Sequence, residues 1–509
     1  MKLRPFAAVL LAAAAAASLA AHAQGTLDEI VIEQGSDVVS LDPQLEIDSA
    51  TGRVTQNIYD SLFRVGPDGN PVPHLAESYR LVDPTTWEIK LRRGVKFHNG
   101  EDFNADSVIF SIQRSRDATI KPKPRLGSYY TTFSSVEAVD PYTVRIKTKD
   151  ADPIVVRRLM GLFGPMLPPA YVKEHGNDIL KTKPVGTGSF KFVSWAKDER
   201  LVLEANPQYW GTRSGIKRVV FKPVSEVLTR VADVTLGKAD LIVDVPPDQI
   251  ETLKKTPNVA VKSRVSSRNI HVIFNPLEGG PIADKRVRQA LTYAVDVDGI
   301  LKGVLGGQGR RIATLLIPET AGFDASIKPR PYDPERARAL LAEAGYAKGF
   351  EIGLDVPSGR YAKIDEVAQA LAGQLANVGV TAKIQRHEWG GYVKRWTSRK
   401  LAGLALIGAG DQMFDADQLL TSRLVSNANY GGFYSNPKLD ELVLAGRRTT
   451  DAQQRAKIYS DVQKIIYEDA PILPLYQQQD ISASRSDRIL YEPAIDETIY
   501  LDKIKVVRK

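Results

Sequence analysis

Ile58-Tyr59-Asp60-Ser61-Leu62-Phe63, Pro73-His74-Leu75-Ala76-Glu77-Ser78-Tyr79, Trp87-Glu88-Ile89-Lys90-Leu91-Arg92 and Gly94-Val95-Lys96-Phe97-His98-Asn99-Gly100-Glu101 follow one another, before Asp106-Ser107-Val108-Ile109-Phe110-Ser111. This run decides the fold. Trp87, Ile89 and Leu91 alternate with Glu88, Lys90 and Arg92, the period of a half-buried strand. Asp83-Pro84-Thr85 punctuates the run before it, and Asn99-Gly100 is a turn pair. Asp102 or Asn104 suits the cap of the helix that carries Val108 and Phe110.

Further words lie on either side: Ser40-Leu41-Asp42-Pro43, Pro184-Val185-Gly186-Thr187-Gly188-Ser189-Phe190-Lys191-Phe192, Asn206-Pro207-Gln208-Tyr209-Trp210-Gly211, Asp284-Lys285-Arg286-Val287-Arg288-Gln289-Ala290-Leu291 and Tyr332-Asp333-Pro334. With the first run, they resemble in order the large periplasmic solute-binding proteins of ABC importers, the peptide and nickel class. Ser189 stands where that family usually has Pro. The resemblance covers nearly all of the chain after its first two dozen residues. It implies an α/β protein of two lobes joined by a hinge, the large type with an additional domain on the first lobe. Residues 24–62, 183–266 and 479–509 would form lobe I, 63–182 the additional domain and 267–478 lobe II.

Lys2 and Arg4 precede an apolar, Ala-rich run from Phe6 to Ala21, and Ala21-His22-Ala23 is a small-x-small cleavage site. Residues 1–23 read as a cleaved signal peptide, with a periplasmic chain from Gln24. The chain has no cysteine, which excludes disulfides, thiolate metal sites, thiol nucleophiles and a lipoprotein's acyl anchor. About 485 residues then remain, enough for two or three domains. The formal charge of +8 includes Lys2 and Arg4. Basic and acidic residues are interspersed, so no nucleic-acid footprint is expected.

Helices are clearest in the second half. Asp333 caps a helix with Ala337, Leu340, Leu341 and Ala344 on one face, ended by Gly345. Asp284 caps another, with Val287, Ala290, Leu291 and Ala294 inward. A third starts near Ala362 and carries Ile364, Val367, Ala368, Leu371 and Leu375, with Gly379 at its end. Asp451 opens a fourth with Ile458, Val462 and Ile465 inside.

Catalytic motifs fail on inspection. Gly186-Thr187-Gly188 begins like a dinucleotide loop, but Lys191 holds the third glycine's place. Ser435-Asn436-Pro437-Lys438 has Ser-x-x-Lys spacing but reads as a turn that starts a helix. The six histidines are never three or four residues apart, so no zinc helix exists. An EF-hand counted from Asp411 would need Gly at 416 and Glu at 422, where Ala416 and Ser422 stand. No catalytic residue, cofactor or metal is expected.

A binding constellation remains. Leu404-Ala405-Leu406-Ile407 is an apolar strand running into Gly408-Ala409-Gly410-Asp411. Glycines allow close backbone approach, and open α/β folds bind ligands at strand ends. The stretch resembles the Gly-Asp segment of dipeptide-binding relatives, and the resemblance implies that Asp411 holds a ligand ammonium. A loop or capping aspartate would look the same. Arg360, beside Tyr361, follows the strand Glu351–Val356. A planar guanidinium suits a carboxylate, and the resemblance gives an arginine in this region that role. A surface arginine at a helix start would oppose the helix dipole. Trp389, Tyr392, Val393 and Trp396 form a stripe that suits a core face. The resemblance also admits Trp389 or Tyr392 at the lip of a ligand cavity, and Tyr430, in Asn429-Tyr430-Gly431-Gly432-Phe433, near it.

The reading is a monomeric receptor that captures short peptides or peptide-like solutes for an inner-membrane permease and its ATPase. The same receptor for glutathione, an opine, an oligosaccharide, a nickel chelate or haem is the alternative. A secreted hydrolase pairing Asp411 with Asp415 or Asp417 is a third reading, and it requires acids facing each other across a cleft.

Overall fold

A computed structural model describes residues 25–277, 279–428 and 431–507. The leader at 1–23 and the expected ligand residue Tyr430 therefore lie outside the described residues. The chain is an α/β protein of two lobes. A single twisted sheet runs through both, in the order 380–387, 350–357, 404–410, 259–274, 472–485, 241–242, 27–34, 216–223, 200–205 and 190–196. Two long antiparallel strands at its centre, Val259–Phe274 and Ile472–Arg485, cross from one lobe to the other.

Their pairing shifts register twice, at Val265/Asn269 and at Ile270/His271, and the first shift is the larger. Val265 faces Gln479, but the next paired residue, Asn269, faces Gln477. Ser266, Ser267 and Arg268 bulge out of the ladder, and a bulge bends its strand and increases local twist. The Gln477 side-chain amide holds the bulge by donating to Ser266 O at 2.7 Å. The break lies between two separate hydrophobic cores.

On one side of the break Ile30, Leu41, Val54, Phe190, Leu203 and Phe221 share a core. On the other, Val272, Leu291, Leu340, Leu354, Leu371 and Leu406 share a second. A third core, with Phe63, Trp87, Ile89, Phe103 and Val144, belongs to a four-stranded antiparallel sheet ordered 76–83, 86–91, 143–148, 133–140. Trp87, Ile89 and Leu91 are buried there as expected, but Glu88, expected outward, is buried as well, clasped by Arg80 at 2.6 Å and Arg145 at 2.8 Å. Asn104, not Asp102, caps the helix Ala105–Arg116, with Ser107 completing a capping box. Asp102 instead takes Lys96 at 2.6 Å across the tight turn at Gly100.

The caps Asp333, Asp284 and Asp451 each accept a backbone N–H from the first turn of their helix. The helix Ile364–Ala376 begins two residues later than expected, after Lys363 in the left-handed region. The last helix, Ala452–Asp469, corrects the expected inward face. Arg455, Tyr459, Val462, Gln463 and Ile466 are buried, while Ile458 and Ile465 are only half-buried. The buried stripe is partly polar: Arg455 forks onto Asp415 at 2.8 and 2.6 Å, and Gln463 donates to Gly322 O at 2.8 Å. A search for apolar period misses a face that contains an arginine and a glutamine.

Candidate functional site

The strand Leu404–Gly410 is buried along its length except at Gly410. It lies parallel to Phe350–Pro357 and antiparallel to the crossing strand, where Gly410 faces Arg268. Leu404–Gly410 ends at the register break, Phe350–Pro357 stops short of it, and the loops that follow the two strands carry Asp411 and Arg360.

Asp411 is fully buried. Its N–H donates to Ser267 O in the bulge at 3.0 Å. The Thr320 hydroxyl donates to Oδ2, and the Asp415 N–H to Oδ1 at 3.2 Å. Among the described residues no cation lies within ion-pair distance of this carboxylate; Arg157 acts on it only from further away. Burial pushes its pKa up to about 7, outweighing the two hydrogen bonds. The group is an anion site lacking its cation.

Tyr361 lies over the neighbouring strand, with its hydroxyl 3.3 Å from Gly408 O. A Cβ at Gly408 would meet this ring at 2.9 Å, so glycine is needed for the ring to lie there. Arg360 is exposed, and its guanidinium stacks 4.9 Å over Trp389 and 5.6 Å from the Tyr361 ring. That guanidinium donates no side-chain hydrogen bond among the described residues, which leaves its fork open to a carboxylate. On the other side of Tyr361 stands Arg268, 5.7 Å from the ring. It donates to both oxygens of Glu497 at 3.1 Å and to Ser49 Oγ at 3.4 Å. Arg268 thus ties the crossing strand to the other lobe. Beside it Arg53 forks onto Asp244 at 2.9 and 3.0 Å. Burial works against that carboxylate, but Arg53 prevails and holds it at about 2.

The loop after Asp411 docks on the third core. Met413 and Phe414 are buried within it, and Phe414 packs against Gly69. Arg157 donates to Gly69 O and Met413 O, both at 3.0 Å. Arg158 reaches Asp417 at 3.4 Å, while Arg447 pairs with the same carboxylate at 2.8 Å. Asp415 and Asp417 are thus each engaged by an arginine, and Asp415 lies beside Asp411 rather than across a cleft from it. The geometry a paired-carboxylate hydrolase requires is absent from this cluster.

The structure brings Arg360, Tyr361 and Trp389 into one stack and sets Asp411 at the end of the adjoining strand. Tyr392 differs: it is fully buried, donates to Leu406 O at 2.9 Å and packs with Trp396, Ile273 and Ile407. It forms no lip, because the core stripe claims it, while half-buried Trp389 is the outward end of the same stripe. Sequence reasoning missed Thr320, Arg268, Glu497, Arg157 and Arg158. They come from distant segments: Thr320 is 91 residues from Asp411 and Glu497 is 229 from Arg268, and no local signal marks them.

The family model described as bacterial extracellular solute-binding proteins, family 5 Middle, matches residues 70–432. The glutathione-binding protein GsiB of Pectobacterium atrosepticum is 31% identical over 491 residues, spanning 93% of each chain. GsiB of Escherichia coli K12 is 29% identical over 495 residues, 93% of this chain and 94% of its own. The solved structure of the periplasmic binding protein DppA from Helicobacter pylori, in complex with the peptide STSA, superposes with a TM-score of 0.82 at 27% identity. That match covers 95% of this chain and 99% of the other.

Proposed function

Since the chain belongs to the family 5 bacterial extracellular solute-binding proteins, we propose that it is a periplasmic receptor, released by its signal peptidase site at Ala23. It works as a monomer beside an inner-membrane ABC permease and ATPase. It closes residues 267–478 as one lobe against 24–62, 183–266 and 479–509 as the other, with 63–182 packed on the latter. The cargo is a short peptide or peptide-like solute. The sheet's register break at Ser266–Arg268 supports the division and supplies the hinge.

One observation carries the cargo reading: a fully buried carboxylate, Asp411, with no cation in ion-pair reach among the described residues. An uncompensated buried charge is costly, and a ligand ammonium removes that cost only when bound. Arg360 takes the ligand carboxylate, with Trp389 and Tyr361 holding its guanidinium in place. The closed state then gains contacts that the open one lacks, the condition for a ligand to drive closure.

Glutathione is the second reading, favoured by GsiB relatives aligned over nearly the whole chain. It too carries an ammonium and a free carboxylate, so the same two anchors serve. To test both, the protein is purified from a periplasm, denatured, and its released small molecules identified by mass spectrometry. An oligosaccharide, a nickel complex or haem in stoichiometric amount would refute the zwitterion reading.

A further inference from the structure

A cavity of about 300 Å³ opens where residues 65–67, Arg264 of the crossing strand and the C-terminal segment 490–505 meet. Its volume lies at the lower end of ligand pockets, about 300–1,000 Å³. It shares no lining residue with the constellation around Asp411 and Arg360. The wall is mainly apolar: Pro67, Pro493, Ile495 and Tyr500 contribute, and Leu490, 55% exposed, stands in it. An exposed leucine beside an unfilled apolar wall is surface that a ligand can cover.

The charged lining is one-sided. Arg264, Lys503 and Lys505 are cations, and Glu492 is the sole carboxylate among the lining residues. Glu492 is engaged by Lys262 at 2.6 Å. Lys503 sits 4.5 Å from the Tyr500 ring, and Arg264 donates to Pro67 O. Among the described residues neither cation has a partner within ion-pair distance. Burial depresses the Lys503 ammonium most and Arg64 and Arg264 add like-charge repulsion, which Asp502 and Asp496 offset only in part from further away. Unmatched cations at the edge of an apolar cavity are complementary to one kind of molecule.

We propose that this cavity is a second ligand site, which takes an amphipathic anion: an apolar body against Ile495 and Leu490, with a carboxylate or phosphate head on Arg264 and Lys503. The site is independent of what the cleft carries. It also touches the hinge, because the Ser267 N–H in the bulge donates to Ile495 O at 3.0 Å, and Arg264 belongs to the crossing strand.

The head group could belong to a free solute or to a membrane lipid, so the test has two arms. Decanoate, with decanol as its uncharged counterpart, is titrated into the full protein by calorimetry; phosphatidylglycerol vesicles are tested by co-sedimentation. The expected result is saturable decanoate binding at one site, with decanol at least tenfold weaker. Arg264→Gln/Lys503→Gln should weaken decanoate at least tenfold. So should Leu490→Glu, an exposed substitution that leaves the core untouched, and both variants should keep the wild-type far-ultraviolet spectrum. Decanoate binding alone identifies a free solute, and co-sedimentation lost in Leu490→Glu identifies a lipid head group. If neither probe binds the wild type saturably, or if Leu490→Glu binds both unchanged, the site does not exist.

Discussion

Asp411→Asn should move binding and stability in opposite directions. The wild-type carboxyl titrates near 7 in the folded chain and near 4 when unfolded. A folded pKa raised above the unfolded value means stability is fullest below about pH 4 and falls as pH rises through 7. Three units correspond to about 4 kcal/mol at 1.36 kcal/mol per unit. Asparagine keeps the shape and removes the charge, so the ligand-free variant should be more stable at pH 8, with about 4 kcal/mol as the upper bound. Binding should suffer, because losing one partner of a desolvated charge pair costs about 2–5 kcal/mol, roughly 30- to 5,000-fold in Kd. A proton signature accompanies this. At pH 6 about nine-tenths of Asp411 is protonated in the free protein, so seating an ammonium should expel close to one proton. Calorimetry with alanyl-alanine and glutathione in phosphate and imidazole buffers counts those protons, and urea melts at pH 5 and 8 report stability. If the variant binds as tightly as wild type, or if wild-type binding releases no proton at pH 6, Asp411 does not hold the ammonium.

Arg360→Ala should weaken zwitterion binding at least tenfold by calorimetry. Arg360→Lys should not restore it, since a point charge replaces a planar fork stacked on Trp389. Gly408→Ala should displace Tyr361, whose ring lies 2.9 Å from the added Cβ; a cost of about 1–3 kcal/mol in urea melts and a weaker cleft are expected. Burial drives the His271 pKa down to about 3, with Arg423 adding to the effect, so its neutral form belongs to the fold. Stability from this group is complete above about pH 6.5 and lost as pH falls toward 3, up to roughly 5 kcal/mol. His271→Gln should flatten melts over that window. Arg158→Ala should destabilise by about 3–5 kcal/mol, because Asp152 and Asp417 both lose a buried partner.

Strong local signals gave the fold's parts. The caps Asp284, Asp333 and Asp451 are written in neighbouring residues and stand in the structure as read; the alternation at Trp87–Leu91 puts its apolar residues in the core, but Glu88, read as outward, is buried too. Two kinds of feature escaped. The face of Ala452–Asp469 was misphased because its inward residues include Arg455, whose burial makes sense only beside Asp415, 40 positions earlier. The site's supports escaped for a related reason. Glu497 is 229 residues from the Arg268 it holds, and Thr320 is 91 from Asp411. Strand ends suggested Arg360 and Asp411 as candidates, but a sequence does not show which charges are already answered.

That last distinction is what gives the site its chemistry. Around the bulge, many buried charges come with partners: Arg53 with the partly exposed Asp244, Arg268 with Glu497, Arg455 with Asp415, Arg447 and Arg158 with Asp417. Such pairs contribute little net stability once desolvation is counted, but they fix the loops. Among the described residues Asp411 and Asp496 are buried there without an ion pair; Asp496 is held by Thr498 and Tyr500, whereas Asp411 stands at the end of the strand beside the loop of Arg360, the accessible cation on an aromatic wall. A fold gains nothing by burying an unanswered carboxylate, since asparagine would fill the same space at lower cost. The charge makes sense if its counterion arrives from outside, and then the penalty borne by the empty protein becomes the driving force for closing over a zwitterion.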